Sequence, residues 1–363
     1  MDIEKLFFDE IDKGEKGLNK GLPMGFKRLN SVVCNLQRGR FDLVGGSTGT
    51  GKSSFIMNGY VTNPIQYLVD TNNTNTKFRV VYFNMELPTK DVIAKLIAAR
   101  VYKKTNAEVE LHVNKIFAKG IFADKEHRMT PEEKKLVKDE ASYIEHLRKY
   151  VRFEEGGITP DYAYKVIMAE LSKLGKIEQY KDKGDHWEFT PYQDDYYLVV
   201  IFDHIGLIKP NLAKDSSLKH TIDRLSGMLV DLRNKASITP VLVSQFNRSI
   251  EGMDRKSNKH PDPQLSDFKE SGRPSEDANT VFALFNPYKH RIDTHHGYNL
   301  KALPKVYRGL SILKNRDGRD NVDIGLGFKG TIGEFKELPH SSRLNPEHQD
   351  SQSLMKQLTE YYS

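Results

Sequence analysis

An α/β fold with a mostly parallel central sheet and a β-rich C-terminal extension is what these 363 residues predict. Three observations carry that reading. A strand-like run, RFDLVG, leads directly into a glycine-rich loop and then a helix. Continuous apolar runs recur at Lys77–Met85, Tyr197–Phe202 and Pro240–Ser244, as expected of strands covered on both faces. Helical patterns separate these runs, and the last third changes to short strands, GLSILKNR, VDIGLGFKG and GEFKELP.

Each element has a local cause. Residues 2–12 form an amphipathic helix with Ile3, Leu6, Phe7 and Ile11 on one face, either packed on its own domain or serving as an arm for a neighbouring subunit. The polar stretch Asp12–Lys20 is its linker. The stretch from about 104 to 195 reads as mostly helical. Within it, Thr130-Pro131-Glu132-Glu133 supplies an N-cap, a proline at the first helical position and a capping-box glutamate for a helix through Tyr150. Thr159-Pro160 opens another helix that stops near Gly175, and residues 176–196 read as an inserted polar hairpin turning at Lys183-Gly184. A stripe of Leu218, Ile222, Leu225, Leu229 and Leu232 marks a helix to Lys235. Residues 249–276, polar and without periodicity, read as mobile loop, followed by a strand at Thr280–Phe285. The expected organisation is an arm and linker at 1–20, one α/β domain over 21–339, and a polar tail at 340–363, disordered apart from a short helix near Leu354–Tyr361.

Composition narrows the classes. A 38% hydrophobic share beside 29% charged residues is that of a globular protein, and no run of about 18 apolar residues exists to span a membrane. The N-terminus lacks signal-peptide character, so a cytoplasmic location is expected. A lone Cys34 excludes disulfides within the chain and a four-cysteine zinc ribbon. The net charge of +6 permits a polyanionic partner without requiring one.

The most specific signal is Gly46-Ser47-Thr48-Gly49-Thr50-Gly51-Lys52-Ser53, a complete G-x-x-x-x-G-K-[ST] loop with Ser54 continuing into the helix. Glycines let backbone N–H groups turn inward on phosphate oxygens, and the helix N-terminus adds positive potential. Lys52 is placed for the β- and γ-phosphates of ATP and Ser53 for Mg²⁺. Asp203, ending an apolar strand, is the candidate for holding Mg²⁺ through water. Its neighbour is His204, not Glu, so the general base is sought elsewhere. Glu86, after VVYFNM, is the candidate, although an acidic strand end also caps helices. Gln245, ending PVLVSQ, is the candidate γ-phosphate sensor. Base, metal-holding carboxylate and sensor on three strands make a RecA-like core.

At this point the chain resembles the ATPase domain of DnaB-type replicative helicases. The resemblance rests on GLPMGFKRLN, GGSTGTGKSS, VVYFNMELP, LVVIFDHIGLI, VLVSQFNRS, LSDFKESG…EDA and ILKNRDG, covering about residues 21–337. It implies a hexameric ring around single-stranded DNA that translocates 5′→3′ using ATP. It also implies that Lys314 and Arg316 enter the neighbouring subunit's nucleotide site. Arg248, Arg255, Lys256 and Lys259, after the sensor, and Lys269 and Arg273, on the next segment, are candidate DNA-phosphate contacts, diluted by Glu251 and Asp254. Gly206 departs from the family's usual polar residue. Only about 20 residues precede the ATPase entry, so the family's N-terminal collar is not expected and a phage-encoded form fits, while the single cysteine argues against a fused zinc primase. A separate primase, loader or polymerase is then an expected partner. Two other classes stay open: a filament-forming recombinase or strand-annealing ATPase, and a non-hydrolysing ATP-binding assembly module. His290, His295 and His296 read as a solvated loop without carboxylate partners, and Tyr361-Tyr362 as part of a polar end.

Overall fold

The computed structural model describes residues 3–180, 186–247, 250, 262–268, 272–303 and 305–362. Its strands, in chain order, are β1 (Asp42–Gly46), β2 (Lys77–Asn84), β3 (Val151–Glu155), β4 (Gly175–Tyr180), β5 (His186–Pro191), β6 (Tyr196–Asp203), β7 (Thr239–Gln245), β8 (Thr280–Phe285), β9 (Thr294–His295), β10 (Tyr298–Asn299), β11 (Tyr307–Asn315), β12 (Val322–Lys329) and β13 (Glu334–Glu337). Among the described residues, nine of these build one sheet in the order β13-β12-β11-β8-β1-β7-β6-β2-β3. The six from β8 to β3 run parallel, and β11, β12 and β13 extend the sheet antiparallel.

The inner parallel strands are largely apolar because both faces are covered, whereas the edge strand β3 alternates with charges. Val44, Val80, Tyr82, Val199, Ile201 and Val243 pack on one side with Phe26, Phe55 and Tyr60. Leu43, Val81, Phe83, Leu198, Val200 and Leu242 pack on the other with Ile167, Leu225 and Leu229. Each fully buried aliphatic side chain contributes about 1.5–3 kcal/mol relative to exposure. The helix after β1 runs as α over Lys52–Ile56, π over Met57–Thr62 and α again over Asn63–Asp70. Pro64 has no N–H for the usual fourth-residue bond, and the π turn lies just before it.

Four expectations are corrected. The stretch from 104 to 195 is not only helix and hairpin: β3 lies within it and pairs with β2 as the sheet edge. The helix expected from Thr130 to Tyr150 is two, Pro131–Asp139 and Ala141–Arg148, with the capping box in place. Glu140, at the break, is a buried carboxylate that Arg100 reaches at 2.5 Å and Lys104 at 3.2 Å. The 340–362 tail holds more than the expected short helix: Ser341–Leu344 is a 3₁₀ turn, and the helix is longer than expected. The Ser351–Tyr362 helix docks through Tyr361, whose hydroxyl donates to Glu334 at 2.6 Å and whose carbonyl accepts from Tyr102. Finally, 249–276 is not all loop: Leu265–Asp267 is a 3₁₀ turn, Gly272–Asp277 is helical, and Phe246 bridges Phe268. The 176–196 hairpin is present as β4 and β5, while its Lys183-Gly184 turn lies outside the described residues. The N-terminal helix spans Ile3–Glu15, with Ile3, Phe7 and Ile11 exposed. None of the described helices is long and apolar enough to cross a membrane.

Candidate active site

Strand order decides what meets at the carboxyl edge. β1 is central, so its loop opens between β8 and β7, with β6 and β2 following outward. Gly46 is level with Leu284 on one side and Gln245 on the other, and Asn84 is level with Asp203. Moving across the edge, the loop, Gln245, Asp203 and the Glu86 segment therefore stand in succession.

The loop backbone needs its glycines. A Cβ on Gly46 would lie 2.6 Å from Thr50 Oγ1 and 2.9 Å from the Leu284 carbonyl, and Gly51 has φ +97° at the start of the helix. Lys52 is buried and donates to the Gly46 carbonyl at 2.8 Å and the Ser47 carbonyl at 3.1 Å. Burial holds its ammonium below the usual lysine value, against the charges of Glu86 and Asp203, which raise it. Ser53 and Ser54 occupy the first helical turn. Thr50 closes the loop by donating to the Ser47 carbonyl at 2.9 Å.

Asp203 is buried at the end of β6. Its Oδ2 accepts from Tyr82 at 2.8 Å, whereas its buried Oδ1 has no hydrogen-bond partner among the described residues. A buried carboxylate oxygen without a donor fits the water shell of a hard cation, and the Ser53 hydroxyl is the candidate direct ligand. Glu86 is exposed just beyond β2, where its charge acts on both Lys52 and Tyr82. Gln245 Nε2 lies 3.3 Å from His204 Nε2, joining the ends of β7 and β6.

The remaining candidates lie elsewhere. Lys314 Nζ donates to the carbonyls of Ser275 and Glu276, each at 2.8 Å, and Arg316 donates to the Glu276 carbonyl at 2.6 Å. Burial and the neighbouring Arg316 hold the Lys314 ammonium below its usual value. Leu310, not Lys314, is level with the loop: β11 runs antiparallel, so Asn315 pairs with Thr280, four residues before Leu284. Arg316 thus sits at least about 13 Å toward the opposite edge of the sheet. Arg273 is half-exposed and pairs with Asp277 at 3.4 Å. Arg248, Arg255, Lys256, Lys259 and Lys269 lie outside the described residues.

One residue was missed by sequence reasoning. Lys289, in the Pro287–His290 turn after β8, donates to the Thr48 carbonyl and places a second ammonium over the loop. The only signal available was a cation shortly after a strand that neighbours β1, which requires the strand order to read.

A phosphate loop on the central strand, with an amide and carboxylates on successive strand ends beside it, defines a P-loop NTPase fold of the RecA-like class. Within that class the chain resembles the DnaB-type replicative helicases: residues 190–337 match the DnaB-like helicase C-terminal domain. The replicative helicase DnaB of Geobacillus stearothermophilus is 21% identical over 341 residues, 93% of this chain and 61% of that protein. A probable replicative DNA helicase of Trieres chinensis is 21% identical over 273 residues, 75% of this chain and 49% of that protein. The chain thus spans about half to three-fifths of the length of these relatives. In structure it is similar to a solved ATPase domain, with a TM-score of 0.66, 19% identity and coverage of 93% of this chain and 99% of that one. A DnaB-like replicative helicase solved for its interactions with primase gives 0.65 and 20% identity, over 92% of this chain and 67% of that one.

Proposed function

We propose that the protein is an ATP-driven, ring-forming replicative DNA helicase that translocates 5′→3′ on single-stranded DNA. The observation that carries the reading is the order of groups along one sheet edge, in a chain similar to replicative helicases. Lys52 and the loop N–H groups hold the phosphates of ATP. Ser53 and Asp203 hold Mg²⁺, which supplies charge neutralisation when bound. Glu86 accepts a proton from the attacking water, and Gln245 contacts the γ-phosphate and passes its loss to Phe246 and the segment beyond.

Lys314 and Arg316 act on a neighbour's nucleotide. Their place at the amino edge supports this, because they cannot reach their own loop while that loop sits at the carboxyl edge. An arginine supplied across an interface is worth about 10³–10⁵ in rate in other systems. The exposed Ile3, Phe7 and Ile11 face is the proposed contact that carries the arm onto the adjacent subunit. Arg273, with the cations of the 248–269 segment, tracks DNA phosphates, giving salt-sensitive, sequence-tolerant binding. A separate primase or loader is the proposed protein partner. The test is phosphate release with and without single-stranded DNA, beside Lys52→Ala. Stimulated release that disappears in the variant supports the reading. Absence of release under both conditions contradicts it and leaves a non-hydrolysing module.

A further inference from the structure

Two of the three histidines expected in a solvated loop, His295 and His296, are instead gathered around carboxylates. His295 is buried on β9, and its Nε2 lies 2.8 Å from Asp262 Oδ1. His296 Nε2 lies 3.5 Å from the same oxygen. The other nitrogen of each ring is held separately: His295 Nδ1 is 2.8 Å from the Tyr307 hydroxyl, and His296 Nδ1 is 3.1 Å from Asp323 Oδ2 on β12. We propose that Asp262, His295 and His296 form a binding site for a divalent transition-metal ion of the Zn²⁺ type, independent of the nucleotide site.

Four arguments converge. Tetrahedral bonds of about 2.0–2.2 Å place ligand atoms about 3.3–3.6 Å apart; the His296 separation, 3.5 Å, falls in that range, and the His295 separation, 2.8 Å, is shorter and would open by about half an ångström around an ion. Metal-bound imidazoles characteristically donate their second N–H to a carboxylate or another fixed acceptor, the places Asp323 and Tyr307 occupy here. With Nδ1–H directed at Asp323, a neutral His296 turns the lone pair of Nε2 toward a carboxylate oxygen. That buried nitrogen makes no hydrogen bond among the described residues, so a cation between the two relieves the repulsion. Finally, His296 and Gly297 have φ +47° and +79° in the two-residue turn between β9 and β10, where Asn-Gly or Asp-Gly is the ordinary choice. That turn sets the His296 ring between Asp262 and Asp323.

Two imidazoles and one carboxylate select Zn²⁺, Co²⁺ or Ni²⁺ over Mg²⁺. Asp262 is half-exposed, which leaves the fourth position for water. The ion would clip the 262–268 segment to the β9–β10 turn. That segment pairs with the exit of β7, through the Phe246–Phe268 bridge and the Asn247 N–H donated to the Asp267 carbonyl at 2.7 Å. A metal clip there braces the residues that follow Gln245.

The protein-only alternative is a doubly protonated His296 between Asp262 and Asp323, and metal titration separates the two. Untagged full-length protein, stripped by chelator and held in excess Mg²⁺, is titrated with Co²⁺ and read by visible absorption, then displaced with Zn²⁺. The expected result is one Co²⁺ per chain with the intense band of a low-coordinate site. Asp262→Asn and His296→Asn, the latter tolerated at positive φ, abolish the band. Asp323→Asn weakens binding about 10–100-fold. Absence of stoichiometric binding by the wild-type chain overturns the proposal, and so does binding unchanged in both Asp262→Asn and His296→Asn. The wild-type titration decides the matter even where a variant fails to fold.

Discussion

Lys52 shows how much one residue's surroundings matter. Its ammonium is buried against two loop carbonyls, so replacing it removes both the proposed phosphate contact and two hydrogen bonds that tie the loop together. Lys52→Ala is expected to abolish ATP hydrolysis, measured as phosphate release, with thermal stability within a few degrees of wild type. Beneath the loop, Arg40 Nε lies 3.0 Å from Asp42 Oδ1, and Tyr60 donates to Asp42 at 2.7 Å, all buried at the root of β1. Arg40→Ala leaves that carboxylate without its counter-charge and should cost about 3–5 kcal/mol, read from urea unfolding. Acid stability has a residue-level origin as well. Asp161 is held below the ordinary carboxylate value by Lys214, then Asn211 and Arg224, and Asp215 chiefly by Arg224. A depressed folded value means stability that is full above the unfolded pKa of about 3.9 and is lost as pH falls through the folded value. Arg224→Ala should therefore lower the melting temperature at neutral pH and flatten its decline between about pH 5 and pH 2. An unchanged slope contradicts this origin.

Elements differ in how well the sequence announced them. β1, β2, β6 and β7 were legible because strands covered on both faces are continuous apolar runs, and the phosphate loop fixed where β1 ends. β3 was not: Val151 and Phe153 alternate with charges over only five residues, directly after a helix. Its place is set by pairing with β2 and by Glu170, a buried carboxylate on the next helix that Arg79, Arg152 and Lys173 all reach. No local pattern shows such a tertiary partner. The histidine cluster failed for the same reason, since Asp262 lies 33 residues from His295 in sequence. The docked C-terminal helix was undervalued because polar composition hid its anchor, Tyr361. The N-terminal helix was legible in type but not in contacts, and its exposed face yields a prediction. Phe7→Asp should lower the oligomeric state seen by native mass spectrometry while leaving thermal stability unchanged, because the side chain is 62% exposed. An unchanged oligomer removes the arm from the assembly.

Across the molecule, the length of the strands separates the two proposed sites. The phosphate-loop motif stands at the carboxyl edge and Lys314–Arg316 toward the amino edge, so the proposed ring would bring the two together by a head-to-tail arrangement of copies. Arg316→Ala is then expected to lose hydrolysis while retaining ATP binding. Mixing it with Lys52→Ala should restore part of the rate, because each variant supplies what the other lacks at a shared interface. Normal hydrolysis by Arg316→Ala alone contradicts the across-subunit arrangement. Helicase activity itself is decided by unwinding of forked duplexes carrying a single 5′ or 3′ tail, with ATP and Mg²⁺ and with Lys52→Ala in parallel. ATP-dependent unwinding of the 5′-tailed substrate by the wild-type chain, absent in the variant, is the expected result. Hydrolysis without strand separation on either substrate, or unwinding from the 3′ tail alone, would contradict it.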